Sequence, residues 1–227
     1  MRRIWHISDT HSYHGLLSVP ENIDIVIHSG DFSNYRDFYQ NEPEARDFLN
    51  WYASLPIKHK VLIAGNHDAF PATHNKEFRD LCKHFNITYL ENEDVEIMDL
   101  VIWGSPVTPS YGNWHFMKDR SKMDSLYKHI PSGVDIVVTH GPPKGLLDLS
   151  YNPIGELEFC GCKSLRNHLL ERVKPRLSLF GHIHNCDDIL NQGTMSLNGH
   201  DTIFSNGSVV TDRKFGFLSS NGNIFEL

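Results

Sequence analysis

The chain has 227 residues, 40% of them hydrophobic, with 21 Lys and Arg against 28 Asp and Glu. A chain of that size can bury about 70% of its unfolded surface, which excludes disorder as the main state, and 16 Gly with 11 Pro exclude a collagenous chain. The net charge of −7 disfavours a general nucleic-acid coat or an anionic-membrane binder, because both need a basic face.

From the N-terminus, apolar β-rich runs alternate with helical stretches. Residues 3–8 (RIWHIS) and 24–29 (DIVIHS) predict two strands, the second nearly all apolar, as expected of a strand covered on both faces. A helix is predicted over 42–54, a strand over 60–64, a helix over 75–85 and a hairpin from 95–98 and 100–103. Residues 105–117 read as a long loop rich in Pro, Gly and aromatics, followed by a helix over 121–129 and a strand over 135–139. Residues 142–159 form a second long loop, and loops of such length tend to carry function. A helix over 162–173 follows, in which Leu165, Leu169, Leu170 and Val173 recur at three- and four-residue steps before Pro175 stops it. A strand is predicted over 177–180. The stretches 202–205, 214–219 and 224–227 predict antiparallel strands, with Asn221-Gly222 as a tight turn. The pattern predicts an α/β fold of two mixed sheets packed face to face with helices outside, one domain over 1–227.

Cys82, Cys160, Cys162 and Cys186 read as free structural thiols, since Cys160-Gly161-Cys162 lacks the two-residue spacing of zinc ribbons and thioredoxins. The first residues lack the apolar core of a signal peptide. No stretch approaches the roughly 18 apolar residues of a membrane span. A cytoplasmic protein is expected.

Fifteen His stand out in this composition, and His is the commonest metal ligand. Each apolar strand ends in a polar cluster: Ser8-Asp9-Thr10-His11, Ser29-Gly30-Asp31, Gly65-Asn66-His67-Asp68, Thr139-His140-Gly141 and Gly181-His182-Ile183-His184. In open α/β sheets the site lies at the carboxyl ends of the strands. In extended chain residues i and i+2 face one way, so Asp9 with His11, and His182 with His184, each present two donors together. Asp9, His11, Asp31, Asn66, His140, His182 and His184 are too many donors for one tetrahedral site. They suit two ions sharing one carboxylate, and an oxygen and imidazole set suits Mn, Fe or Zn. His6 and His28, inside strands, are expected to be packed and hydrogen-bonded; His59, His74, His84, His129 and His168 are expected at the surface. His14 is a candidate to line the cleft, and Tyr111 or Trp114 to stack on a base.

These motifs in this order resemble the calcineurin-like metallophosphoesterases, and more closely the branch of metallophosphoesterase-domain-containing proteins. The similar stretches, among them ISDTHS, IHSGDF, LPIKHKVLIAGNHD, IPSGVDIVVTHGPP and VKPRLSLFGHIH, span residues 4 to about 208. The resemblance implies a four-layer α/β sandwich. It implies that Asp9, His11 and His184 bind a first metal, that Asn66, His140 and His182 bind a second, and that Asp31 bridges them. Asn66 and His67 then meet the substrate phosphate, and His67 assists at the leaving oxygen without being a ligand. The implied activity is hydrolysis of a small, cyclic-nucleotide-like phosphodiester by hydroxide held between two divalent ions, Mn first, with Fe/Zn or Mg as alternatives. A nucleotide phosphomonoesterase with the same centre and a non-catalytic scaffold on this fold are the competing readings. No Lys/Arg stripe follows the motifs, which disfavours long DNA or RNA; no membrane partner is expected and nothing specifies an oligomer. Two positions depart from family patterns. Asn34 stands where many members carry a carboxylate, which leaves open what orients His67, with Asp68 its neighbour in the chain. His182 is retained where some animal members of the branch carry Gly, which favours an active enzyme.

Overall fold

The computed structural model describes residues 1–152, 154–186, 188–211 and 218–227. Its strands are β1 (Arg3–Ile7), β2 (Ile25–Ser29), β3 (His59–Ile63), β4 (Thr88–Tyr89), β5 (Glu93–Ile97), β6 (Leu100–Ser105), β7 (Thr108–Pro109), β8 (Met117–Lys118), β9 (Ile136–Thr139), β10 (Leu149–Tyr151), β11 (Leu157–Phe159), β12 (Leu177–Phe180), β13 (Gly193–Ser196), β14 (Ile203–Asn206) and β15 (Asn223–Glu226). Its α-helices are α1 (Phe38–Ser54), α2 (Ala69–Thr73), α3 (Asn75–His84), α4 (Asp124–Tyr127) and α5 (Lys163–Asn167), the last continued by a π-helical turn over His168–Val173.

Two mixed sheets form the centre. One has the order β15-β1-β2-β3-β4 and the other β13-β14-β12-β9-β6-β5. Strands β2, β9 and β12 are buried at every residue, which accounts for their continuous apolar runs. Ile4, Ile25, Ile27, Val61 and Ile63 of the first sheet meet Ile102, Ile136, Val138, Leu177 and Leu179 of the second in one core. On the outer face of the first sheet, Trp5, Val26 and Leu62 pack under Phe48, Leu49 and Tyr52 of α1 and Phe78 of α3. On the outer face of the second, Trp103, Val137 and Phe204 pack under Tyr127 of α4, Leu165 of α5 and Leu169. Helix, sheet, sheet, helix is the four-layer sandwich expected.

The predicted hairpin is β5–β6, closed by Met98 and Asp99, both at positive φ. The antiparallel reading of 202–205 is corrected. β14 runs parallel to β12 and antiparallel to β13, an unpredicted strand, because an apolar run carries no signature of strand direction. β15 pairs antiparallel with β1, away from β14. Residues 214–217 of the predicted strand 214–219 lie outside the described residues. The two loop predictions also need amendment, since 105–117 carries β7 and 142–159 carries the hairpin β10–β11. Helix α1 begins ahead of its predicted start because Asp37 caps it, its side chain accepting from the Tyr39 amide. No helix of the described residues is long and apolar enough to cross a membrane.

Candidate metal centre

The parallel strands β1, β2, β3, β9 and β12 all run the same way within their sheets, so their carboxyl ends come to common edges. There the backbone breaks sharply. Asp9, His11, Asp31 and His182 all have positive φ, at 52°, 40°, 55° and 70°. Left-handed backbone at non-glycine residues is costly and clusters at functional sites. Gly181 makes room for this turn: a Cβ there would strike the Asp9 carboxylate and the Ser8 hydroxyl. Gly65 does the same beside Asp31, whose carboxylate and amide a Cβ would meet.

All seven predicted donors lie together. Asp9, His11 and His184 hold their donor atoms within 4.8 Å of one another, as do Asp31, His140 and His182. Asn66 joins the second group, with Oδ1 3.0 Å from His140 Nε2. Asp31 stands between the groups, its Oδ2 3.2 Å from His140 Nε2 and 4.0 Å from His11 Nε2. A third cluster joins His67 to His11 and Asp31.

The imidazoles are held from behind. His140 Nδ1 lies 2.9 Å from the Ser29 carbonyl and His11 Nδ1 3.1 Å from that of Ser33. A carbonyl only accepts, so each Nδ1 carries a proton and each Nε2 is turned to the centre. Such backing of a ring by a backbone carbonyl is the usual support for a metal-binding His. His11 Nε2 and Asn66 Nδ2 are buried without a partner. Lone pairs of buried imidazoles aimed at buried carboxylates repel unless a cation lies between them. The donor set therefore fits two divalent ions, and both the orphaned nitrogen and the convergence of acceptors call for them.

The electrostatics agree. Burial works against ionisation of Asp31, yet the neighbouring His140 holds it well below the usual carboxylate range. Burial likewise opposes the Asp9 carboxylate, and the bond from His184 keeps it low. Burial lowers His11 to about 4, and burial with the charge of His140 lowers His182 to about 3. His140 goes the other way: burial disfavours its charge, but Asp31 raises it to about 9. In the ion-free chain one proton thus sits where positive charge is demanded.

Sequence reasoning left open which group orients His67. His67 Nδ1 lies 2.7 Å from the backbone carbonyl of Asn34. Asp68 points elsewhere, accepting from the amides of Asp31, Ser33 and Gly65 and from the Ser33 hydroxyl. It ties the exits of β2 and β3 together; burial and the charge of Asp31 raise it to about 8. A backbone carbonyl leaves no mark in a sequence, so this contact had no signal. Trp114 lies over His67 with ring centroids 4.4 Å apart, and Tyr111 is 5.3 Å from His182. His14 does not line the cleft: it packs between Phe48 and Trp51 and pairs with Asp47. His6 and His28 are buried and hydrogen-bonded, as expected. All four cysteines are free.

The chain is 34% identical to metallophosphoesterase domain-containing protein 1 of Homo sapiens and of Mus musculus over 230 aligned residues, covering 90% of this chain. It spans 65% of the length of these relatives. A UPF0046 protein of Caenorhabditis elegans is also 34% identical, with 82% of this chain and 70% of that protein covered. One solved structure superposes with a TM-score of 0.66 at 14% identity over 90% of each chain, a likeness of fold. The calcineurin-like phosphoesterase family model matches residues 2–186, a span that includes every donor described above. Clustered carboxylates and imidazoles at the sheet edges, in a chain so matched, make this protein a member of the calcineurin-like phosphoesterase family.

Proposed function

We propose that the chain hydrolyses a phosphodiester of a small nucleotide, cyclic-nucleotide-like in size, with two divalent ions as cofactors and Mn²⁺ as the first choice. Asp9, His11 and His184 would hold one ion, Asn66, His140 and His182 the other, and Asp31 both. When bound, the ions supply charge for the phosphoryl oxygens and an acidified water at neutral pH. The reading is supported by one observation above all: side chains from five separate strand ends form two donor groups with the Asp31 carboxylate standing between them.

The chain's own residues do the rest. The Nδ1–H of His67 is spent on the Asn34 carbonyl, so Nε2 is the working atom. From there a protonated ring donates to a phosphoryl oxygen or to the departing alkoxide. The Asp31 carboxylate accepts from the His67 amide at 2.7 Å, which fixes the position of His67 relative to the ion-holding groups. Trp114 covers its ring and limits its rotation. Two Asp carboxylates against two divalent ions leave the centre positive within a chain of net charge −7, so an anionic phosphate is drawn there.

The test is a substrate panel on Mn²⁺-loaded protein. Bis-p-nitrophenyl phosphate and cyclic nucleotides are expected to turn over faster than p-nitrophenyl phosphate. Preference for the monoester would establish a phosphatase instead, and no hydrolysis with both ions bound would establish a scaffold.

A further inference from the structure

The Asn34 carbonyl that meets His67 Nδ1 sits in a stretch without regular structure, between Asp31 and the start of α1. Such a carbonyl orients a ring only as firmly as its own peptide is held. This peptide is held from α1. Oε2 of Glu44, a half-buried residue of that helix, accepts from the amides of Asn34 at 2.8 Å and Tyr35 at 3.0 Å. The Asn34 carbonyl and the Tyr35 amide belong to one planar peptide group. Carboxylate, peptide and imidazole thus stand in series, with Glu44 on the N–H and His67 Nδ1 on the C=O.

The series has a direction. A hydrogen bond to a charged acceptor is about twice as strong as one between neutral groups. A negative charge on the N–H side of a peptide pushes electron density toward its carbonyl oxygen, which then accepts more strongly. The same bonds fix the plane of the peptide, and with it the direction in which the oxygen points.

The neighbouring contacts tie the same stretch to the same ring. Asn41, buried on α1 ahead of Glu44, donates to the Tyr35 carbonyl at 2.5 Å and to the His67 carbonyl at 3.0 Å. Arg36 donates to the Asn113 carbonyl at 2.8 Å, and its guanidinium lies 4.9 Å from the centre of the Trp114 ring. Both supports of the His67 ring, the Asn34 carbonyl and the Trp114 indole, therefore lean on residues that Glu44 and Asn41 hold or that adjoin them.

We infer that Glu44 is a positioning residue for His67: through the Asn34–Tyr35 peptide it sets the direction and strength of the bond on Nδ1, and so aims Nε2. Glu44 acts through the peptide, and the ring alone meets the phosphoester. The effect on turnover rests on the role of His67 in the proposed activity. The bond itself rests on geometry alone.

Two measurements on the full chain test it. The first reads the bond without turnover, as the Nδ1 proton of His67 in proton–nitrogen correlation spectra. Mg²⁺ serves as a diamagnetic ion, and His67→Ala identifies the signal. In Glu44→Gln the side-chain oxygen can still accept from both amides, so the geometry stays and the charge goes. The signal is expected to persist there and to move upfield, and to broaden by solvent exchange in Glu44→Ala. Glu42→Gln, which alters only the pairing with Arg46 on the same helix, is expected to leave it in place. No protected Nδ1 proton in the natural chain, a signal unmoved in Glu44→Gln, or one moved as far in Glu42→Gln overturns the inference. The second measurement is hydrolysis of bis-p-nitrophenyl phosphate by the Mn²⁺-loaded chain. Glu44→Ala is expected to lower kcat about tenfold with KM changed less than about twofold, and to cost nothing further when His67 is already Ala. An equal fall in both backgrounds marks a structural role and overturns the inference. So does an unchanged kcat in Glu44→Ala where His67→Ala lowers it. The two readings fail apart: if His67→Ala leaves turnover intact, or no ester is hydrolysed, the proposed activity falls and the Nδ1 signal alone decides the bond.

Discussion

The ring of His67 is oriented without a carboxylate bound to it. A carbonyl at 2.7 Å orients one nitrogen and an indole at 4.4 Å covers the ring. A carbonyl partner is neutral, so it fixes the tautomer without adding a charge to the centre. If the other nitrogen works on the phosphoester, His67→Ala removes proton transfer and leaves the ion-holding side chains in place. The expected result is a fall in kcat of about 10²–10⁴-fold, with the ion content measured by elemental analysis unchanged. Unchanged kcat would remove His67 from the mechanism, and loss of an ion would make it a ligand. The seven donors themselves were legible in the sequence, because each follows an apolar run and two pairs keep the i, i+2 spacing. The supports of His67 were not, since one is a backbone atom and the other lies 47 positions along the chain in a loop with no regular pattern.

Strands β1 and β2 carry His6 and His28 in their interiors, and these two rings stitch elements together. His6 reaches Ser29 Oγ at 2.9 Å on β2 and Ser205 Oγ at 2.8 Å on β14, so it joins the two sheets. His28 meets Thr10 Oγ1 at 3.1 Å and accepts from the Gly30 amide at 3.2 Å, so it pins the exits that carry Asp9 and Asp31. Burial lowers each ring to about 3 from 6.5. Between those values the unfolded chain takes up protons that the folded chain refuses. Stability is therefore full above about pH 6.5 and is lost as pH falls, by up to about 1.4 kcal/mol per pH unit for each ring. Urea unfolding of the chain and of His28→Gln at pH 6 and pH 5 checks this. The natural chain is expected to lose about 1.4 kcal/mol more than the variant over that step, and equal losses would contradict the assignment. As elements, the five site-bearing strands were readable from buried apolar runs. The parallel course of β14 and the hairpin β10–β11 were not. Direction is set by which partner a strand finds, and β10 and β11, though alternating, are three residues each, too short a run for alternation to mark them as strands.

Over the whole molecule, the two sheets do different work for one site. The first delivers Asp9, His11, Asp31, Asn66 and His67, and the second delivers His140, His182 and His184. Neither donor group is complete within one sheet: His184 closes the group of Asp9 and His11, and Asp31 that of His140 and His182. The core of Ile and Val between the sheets thus sets the geometry of the centre, and any slip of one sheet on the other would part the ligands. Two bound ions would in turn brace the sheets together. The most direct test is an anomalous difference map from crystals of the Mn²⁺-loaded chain. Two peaks about 3.5–4 Å apart are predicted, one against Asp9, His11 and His184, the other against Asn66, His140 and His182, with the Asp31 carboxylate touching both. No peak, a single peak, or peaks away from Asp31 would contradict the account.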